Sequence, residues 1–117
     1  MSRILLVDDL PELVEAEKQI LCESDPSFEI DTLSDPEAAL DALEKKEFDA
    51  VILDLVMPRK DGLQLLREIK AKYDIPVIIY SAFTDLYPPS VLLEHGASHV
   101  IAKPADLDFL MRCIRDL

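Results

Sequence analysis

A doubly wound α/β fold on a five-stranded parallel sheet is the architecture this sequence predicts, and three observations predict it. Short apolar runs alternate with helical patterns along the chain, in five strand-then-helix repetitions. The central runs are apolar at every position, which suits strands covered on both faces. The chain has 117 residues, read as one domain over 1–117, too short for the eight βα units of a TIM barrel. Right-handed crossovers between parallel strands put helices on both sides of the sheet. Five βα units in this length match the flavodoxin-like strand order 2-1-3-4-5, (βα)5.

The elements follow in order. Ile4-Leu5-Leu6-Val7 reads as a buried strand. Leu13, Ala16 and Ile20 then recur at i, i+3, i+7 as the inner stripe of a helix, with Pro11 suited to its first turn. Phe28 to Leu33 alternates with period two, as expected of a less buried strand. Ser34 is the expected cap of the next helix, whose inner stripe is Pro36, Ala39, Leu40 and Leu43. Ala50-Val51-Ile52-Leu53 is the third strand, and Leu65, Leu66 and Ile69 mark the third helix. Val77-Ile78-Ile79-Tyr80 is the fourth strand. Pro88-Pro89 allows only a late, short fourth helix, around Ser90 to His95. A strand near His99 to Ala102 and a helix with Leu107, Leu110, Met111 and Ile114 at i, i+3, i+4, i+7 complete the chain.

Composition narrows the function classes. Twelve basic against 24 acidic residues give a formal charge of −12, which repels phosphate backbones and anionic lipid. Direct nucleic-acid binding and membrane association are therefore not expected; a cation or a basic protein surface is. With only Gly62 and Gly96 there is no P-loop and no GxGxxG fingerprint. No apolar run approaches the ~20 residues of a membrane helix. The apolar N-terminal stretch is short and ends in two acids, unlike a signal peptide, so the cytoplasm is the expected compartment. Cys22 and Cys113 read as reduced, mostly buried thiols. Glu44-Lys45-Lys46-Glu47 reads as a solvated helix end.

In open parallel sheets ligands bind beyond the carboxyl ends of the strands, at the switch point between the first and third. There the first strand ends in Asp8-Asp9, the third in Asp54, the fourth in Ser81 and the fifth in Lys103. The second strand lies at the edge and contributes nothing. Three acids, a hydroxyl and an amine thus meet at one rim. Each alone could be a helix cap or a surface group; together they are groups that phosphoryl chemistry uses. Crowded carboxylates need a cation, and a few oxygen ligands with retained waters suit Mg2+ (or Mn2+). Three negative charges are then balanced by two from the ion and one from Lys103.

With these residues in place the sequence resembles a response-regulator receiver domain of two-component signalling, similar to the chemotaxis regulators. The matching segments are Ile4-Leu5-Leu6-Val7-Asp8-Asp9, Asp54-Leu55-Val56-Met57-Pro58 with Asp61-Gly62, Ser81-Ala82, and Gly96-Ala97-Ser98 leading to Lys103-Pro104. The resemblance implies that Asp54 is the phosphoacceptor, taking a phosphoryl group from a sensor histidine kinase or phosphotransfer protein. It implies that Asp9 ligates Mg2+, assisted by Asp8, Asp54 and the carbonyl of Val56. Lys103 would pair with a phosphoryl oxygen, and Ser81 would donate its hydroxyl to the phosphoryl group. Lys103-Pro104 would be a cis peptide aiming the lysine inward. The chain would act only on itself, as a switch rather than an enzyme, and its conformation would be read by an output domain or effector protein.

Departures from the family pattern carry expectations of their own. Val100 stands where receivers commonly carry a switch aromatic, with His99 beside it, and Leu10 stands where a third acid or amide is often found. Val56 and Phe83 occupy the two positions that tune hydrolysis; both are apolar and cannot place water, so a long-lived phosphoryl group is expected. Without the switch aromatic, the segment Phe83 to Pro89 and the start of the fourth helix are expected to carry the rearrangement. The partner surface would include them, with homodimerisation through the fourth helix and fifth strand as a further option. Other classes remain. A hydrolase forming an aspartyl phosphate would want a second Asp where Val56 stands. A flavin carrier would want a Ser/Thr-rich loop where Asp8-Asp9-Leu10-Pro11 stands. A degenerate receiver used only for docking would not need the intact acids, Ser81 and Lys103.

Overall fold

The computed structural model describes residues 2–55, 61–82, 87–103 and 107–117. Val56, Met57, Pro58, Phe83 and Pro104, each of which carries a sequence-based expectation above, lie outside them. The elements run β1 (Ser2–Val7), α1 (Pro11–Ser24), β2 (Phe28–Leu33), a 3₁₀ turn (Pro36–Ala38), α2 (Ala39–Lys45), β3 (Ala50–Leu53), α3 (Gly62–Lys72), β4 (Val77–Ser81), α4 (Pro89–Glu94), β5 (His99–Ala102) and α5 (Leu107–Arg115). The five strands form one sheet in the order β2-β1-β3-β4-β5. Every neighbouring pair is parallel.

The continuous apolar strands divide by parity. Leu5, Val7, Val51, Leu53, Val77 and Ile79 face one side, where they pack with Ala39 and Leu43 of α2, Leu65, Leu66 and Ile69 of α3, and Leu92 of α4. Ile4, Leu6, Ala50, Ile52, Ile78 and Tyr80 face the other, with Val14 and Leu21 of α1 and Leu110, Met111, Cys113 and Ile114 of α5. Each strand residue therefore loses its contact with water whichever way it points, which is why these strands carry no polar alternation.

The helix boundaries have local causes. Asp61 caps α3, its carboxylate accepting from Leu63 N at 2.9 Å. α4 has six residues, with Pro89 in its first turn, as the proline pair requires. The cap before the 3₁₀ turn is Asp35, not Ser34: the Asp35 carboxylate accepts from Glu37 N at 3.0 Å. Pro36, at the turn's first position, has no N–H that needs an acceptor, so the cap falls on the residue directly before it. The phase of α1 also departs from expectation. Leu13 and Ile20 are 38% and 45% exposed, Ala16 is exposed too, and the buried face is Val14, Glu17 and Leu21. The spacing i, i+3, i+7 is the one expected, shifted by one residue, because a glutamate occupies the middle of the true stripe. Cys113 is buried and Cys22 half-buried, both as free thiols.

Candidate functional site

The site is built where the sheet ladder runs one step past the strands. Asp8 N donates to Leu33 O at 3.1 Å, Asp54 N to Val7 O at 3.1 Å, and Lys103 N to Ser81 O at 2.9 Å. These bonds set Asp8 and Asp54 side by side beyond β1 and β3, and Lys103 beside the end of β4. Ser81 is the last residue of β4 itself and is fully buried.

One carboxylate oxygen from each of Asp8, Asp9 and Asp54 lies within 4.8 Å of the others. Asp8 is 2% exposed. Its Oδ1 accepts from Leu10 N at 3.2 Å and its Oδ2 from the Lys103 ammonium at 2.8 Å. Asp54 accepts from Leu55 N at 2.8 Å and from the Ser81 hydroxyl. Lys103 Nζ also lies 4.9 Å from the centre of the Tyr80 ring. The backbone beyond Asp54 is pressed against the start of α3. Gly62 N donates to Leu55 O at 2.8 Å. A Cβ on Gly62 would stand 2.5 Å from both Asp54 O and Leu55 Cα.

The charges are strained by this proximity. Burial raises the Asp54 carboxyl, Asp8 adds to the rise, and the bonds from Ser81 and Leu55 N with the Lys103 charge only partly offset it. Burial also raises Asp9, followed by its hydrogen bond and repulsion with Asp8. For Lys103, burial opposes the charge, but the bond to Asp8 and the fields of Glu17, Asp8 and Asp54 outweigh it, and the ammonium is held above its ordinary range.

The structure brings together Asp8, Asp9, Asp54, Ser81 and Lys103, the residues that the strand ends nominate; Val56 lies outside the described residues. It also brings in a residue that the sequence reading passed over. Glu17, from the buried face of α1, is 6% exposed and places Oε1 3.8 Å from Lys103 Nζ. Burial pushes its carboxyl up to about 6, against the pull of Lys103 and with the repulsion of Asp8 and Asp54. The balance of three negative charges is thus incomplete: Glu17 adds a fourth carboxylate, and Asp8, Glu17 and Asp54 all act on the one ammonium. The signal that could have found Glu17 is the stripe Val14, Glu17, Leu21, which has helical spacing once one position is allowed to be charged.

Val100, on the expected site of a switch aromatic, is half-buried and packs against the α2–α4 side of the sheet. Tyr87, just before α4, packs against the same cluster, and its hydroxyl donates to Asp61, the cap of α3. No helix among the described residues is long and apolar enough to cross a membrane.

Comparison with known proteins identifies the family. Residues 4–115 match the response regulator receiver domain family. The chain is 34% identical over 118 residues to the response regulator ArlR of Staphylococcus epidermidis, covering 98% of this chain and 52% of that protein. ArlR of Staphylococcus aureus is similar at 34% over 116 residues, covering 98% and 52%. The chain spans about half the length of these curated relatives. Among solved structures, the response regulator TrrA of Thermotoga maritima in complex with Mg(2+)-BeF superposes with a TM-score of 0.86 at 34% identity, covering 99% of this chain and 98% of that one. The receiver domain of the Francisella response regulator 1452 superposes with a TM-score of 0.88 at 25% identity, covering 99% and 95%. Receiver domains bind Mg2+ through acidic residues and work with sensor kinases and output partners, and this chain has an acidic cluster at Asp8, Asp9 and Asp54. The order of the strands, the acids at their carboxyl ends and these matches lead to one conclusion: the chain is a receiver domain of the two-component response regulator family.

Proposed function

We propose that Asp54 is the phosphoacceptor of this receiver, with Lys103 and Ser81 as its phosphoryl-binding partners and Asp8 and Asp9 as the acids that hold a divalent cation beside it. The observation that carries this reading is the cluster of one oxygen from each of Asp8, Asp9 and Asp54 within 4.8 Å. Burial, with repulsion from Asp8 added, raises Asp9 and Asp54; an oxygen-binding dication offsets both effects, so the donor set fits Mg2+ or Mn2+. The Val56 carbonyl would complete the protein ligands. When bound, such an ion neutralises charge on the transferring phosphoryl oxygens.

The residues then divide the work. An Asp54 carboxylate oxygen attacks phosphorus while the P–N bond of the donor phosphohistidine breaks and its electron pair stays with the imidazole. An acyl phosphate results. The Lys103 ammonium turns from Asp8 toward a phosphoryl oxygen, and the Ser81 hydroxyl turns from the Asp54 carboxylate toward the same group. Water attacking phosphorus later releases inorganic phosphate and restores the carboxylate. No separate substrate is turned over, so the domain is a self-acting switch. Its donor is a histidine kinase or phosphotransfer protein, which places it in the cytoplasm, and an output domain or effector reads it. Tyr87, just before α4, is tied to Asp61, the cap of α3. That link supports the segment 83–95, including α4, as the part that rearranges.

Incubation with acetyl phosphate and measurement of intact mass test the assignment. One added phosphoryl group is expected, lost in Asp54→Asn and in excess chelator. Equal labelling of either control would overturn it.

A further inference from the structure

Glu17 is the buried charge that this chemistry does not use. Its neighbours on the inner face of α1, Val14 and Leu21, are apolar and face the core. A leucine or valine would serve packing there, and a carboxylate is costly unless it is paired. Glu17 is not fully paired: its Oε1 is buried and accepts no hydrogen bond. The positive group it faces is the Lys103 ammonium, 3.8 Å away, beyond hydrogen-bond length but within strong Coulomb reach. Lys103 meanwhile donates to Asp8 at 2.8 Å and rests by the Tyr80 ring, on the α1–α5 side of the sheet.

We propose that Glu17 is a positioning residue that restrains the Lys103 ammonium on the α1 side of the rim, so that the lysine must be drawn off Glu17 to reach a phosphoryl oxygen on Asp54. The proposal rests on the reading of Asp54 as the phosphoacceptor. Its logic is that of a ground-state contact. An interaction made before phosphoryl binding and weakened by it opposes that binding. Glu17 thereby sets how readily the site closes on a phosphoryl group, from a helix outside the phosphoacceptor pocket.

The test uses the whole chain with Mg2+ at pH 8 and constant salt, with beryllofluoride as the phosphoryl analogue and 19F NMR as the readout of its dissociation constant. Glu17→Gln keeps the shape and removes the charge, and is expected to tighten binding about three- to tenfold; with Lys103→Met also present, the tightening should fall below about 1.5-fold. A carboxylate that merely repels the anion would give equal tightening in both backgrounds, and that result overturns the proposal. So does an unchanged or weaker constant in Glu17→Gln. A second readout needs no ligand: relaxation of the Lys103 ε-methylene in the free protein should show greater mobility in Glu17→Gln, and unchanged relaxation also refutes the restraint. Failure of the underlying reading looks different. In that case the wild-type chain would not bind beryllofluoride, or Asp54→Asn would bind it equally well.

Discussion

The acid in the inner stripe of α1 makes stability depend on pH in a direction opposite to the usual carboxylate. Burial raises Glu17 from 4.5 to about 6 in the folded chain. One pH unit corresponds to about 1.4 kcal/mol, so the ionised carboxylate costs the folded state about 2 kcal/mol, and about 1–2 kcal/mol after allowance for solvent screening. The sign follows from linkage. A folded value above the unfolded one means that the folded chain binds the extra proton. This contribution is present below about pH 4.5, declines as pH rises through 6, and is gone above it. Glu17→Gln mimics the protonated form at every pH. It should stabilise the metal-free protein by about 1–2 kcal/mol at pH 7.5, with the gain shrinking toward zero as pH falls to 4.5. Urea unfolding of both proteins in chelator, at half-unit steps from pH 4.5 to 8, measures the gap. A gap that does not change with pH would refute the reasoning, as would a wild type more stable than the variant at pH 8, since the second would mean that Lys103 more than repays the burial.

Other perturbations check the remaining parts. Leu21→Ala should cost about 2–5 kcal/mol in urea unfolding. Ile20→Ala, by contrast, should change stability by less than about 0.5 kcal/mol, because the α1 stripe runs through Val14, Glu17 and Leu21. Gly62→Ala should lower stability by about 2 kcal/mol or more, since its Cβ meets backbone that cannot move aside. Acetyl-phosphate labelling of this variant should also slow, because the displaced backbone carries Asp54. Val56→Asn should leave decay of the phosphorylated protein, followed by intact mass, unchanged or faster; a clear slowing would contradict the water-placement argument. Beryllofluoride should move backbone amide resonances over residues 83–95, and Tyr87→Phe should reduce those shifts by freeing Tyr87 from Asp61. If residues 83–95 stay still, the signal leaves by another route.

Strand positions were legible because a two-sided parallel sheet demands unbroken apolar runs, and Ala50 to Leu53 and Val77 to Tyr80 satisfy nothing else in this sequence. The rim residues were legible for the related reason that a polar group directly after such a run has only one place to go. Helix phase was weaker evidence. In α1, Leu13 and Ile20 mimic a stripe while remaining 38% and 45% exposed, and the true stripe is masked by a charged member. Periodicity assumes that burial selects apolar side chains; Glu17 is buried despite its charge, facing Lys103, a residue far off in sequence, so no local pattern announces it. Cap preference scarcely separates Ser34, the expected cap, from Asp35. Geometry separates them, since Pro36 fixes which residue precedes the turn.

The division of the strands by parity gives the sheet the character of a bulkhead. Two hydrophobic compartments lie back to back, and among the described residues no buried side chain belongs to both. Near the carboxyl rim Lys103 and Glu17 lie on the side of α1 and α5, while Tyr87 and Val100 pack on that of α2 to α4. A chemical event at this rim can therefore press on either compartment independently, according to which side chain it recruits. Sequence changes in α1 could then retune the resting state of the domain, and changes around α4 could retune what it presents to a listener, with neither adjustment disturbing the packing of the other.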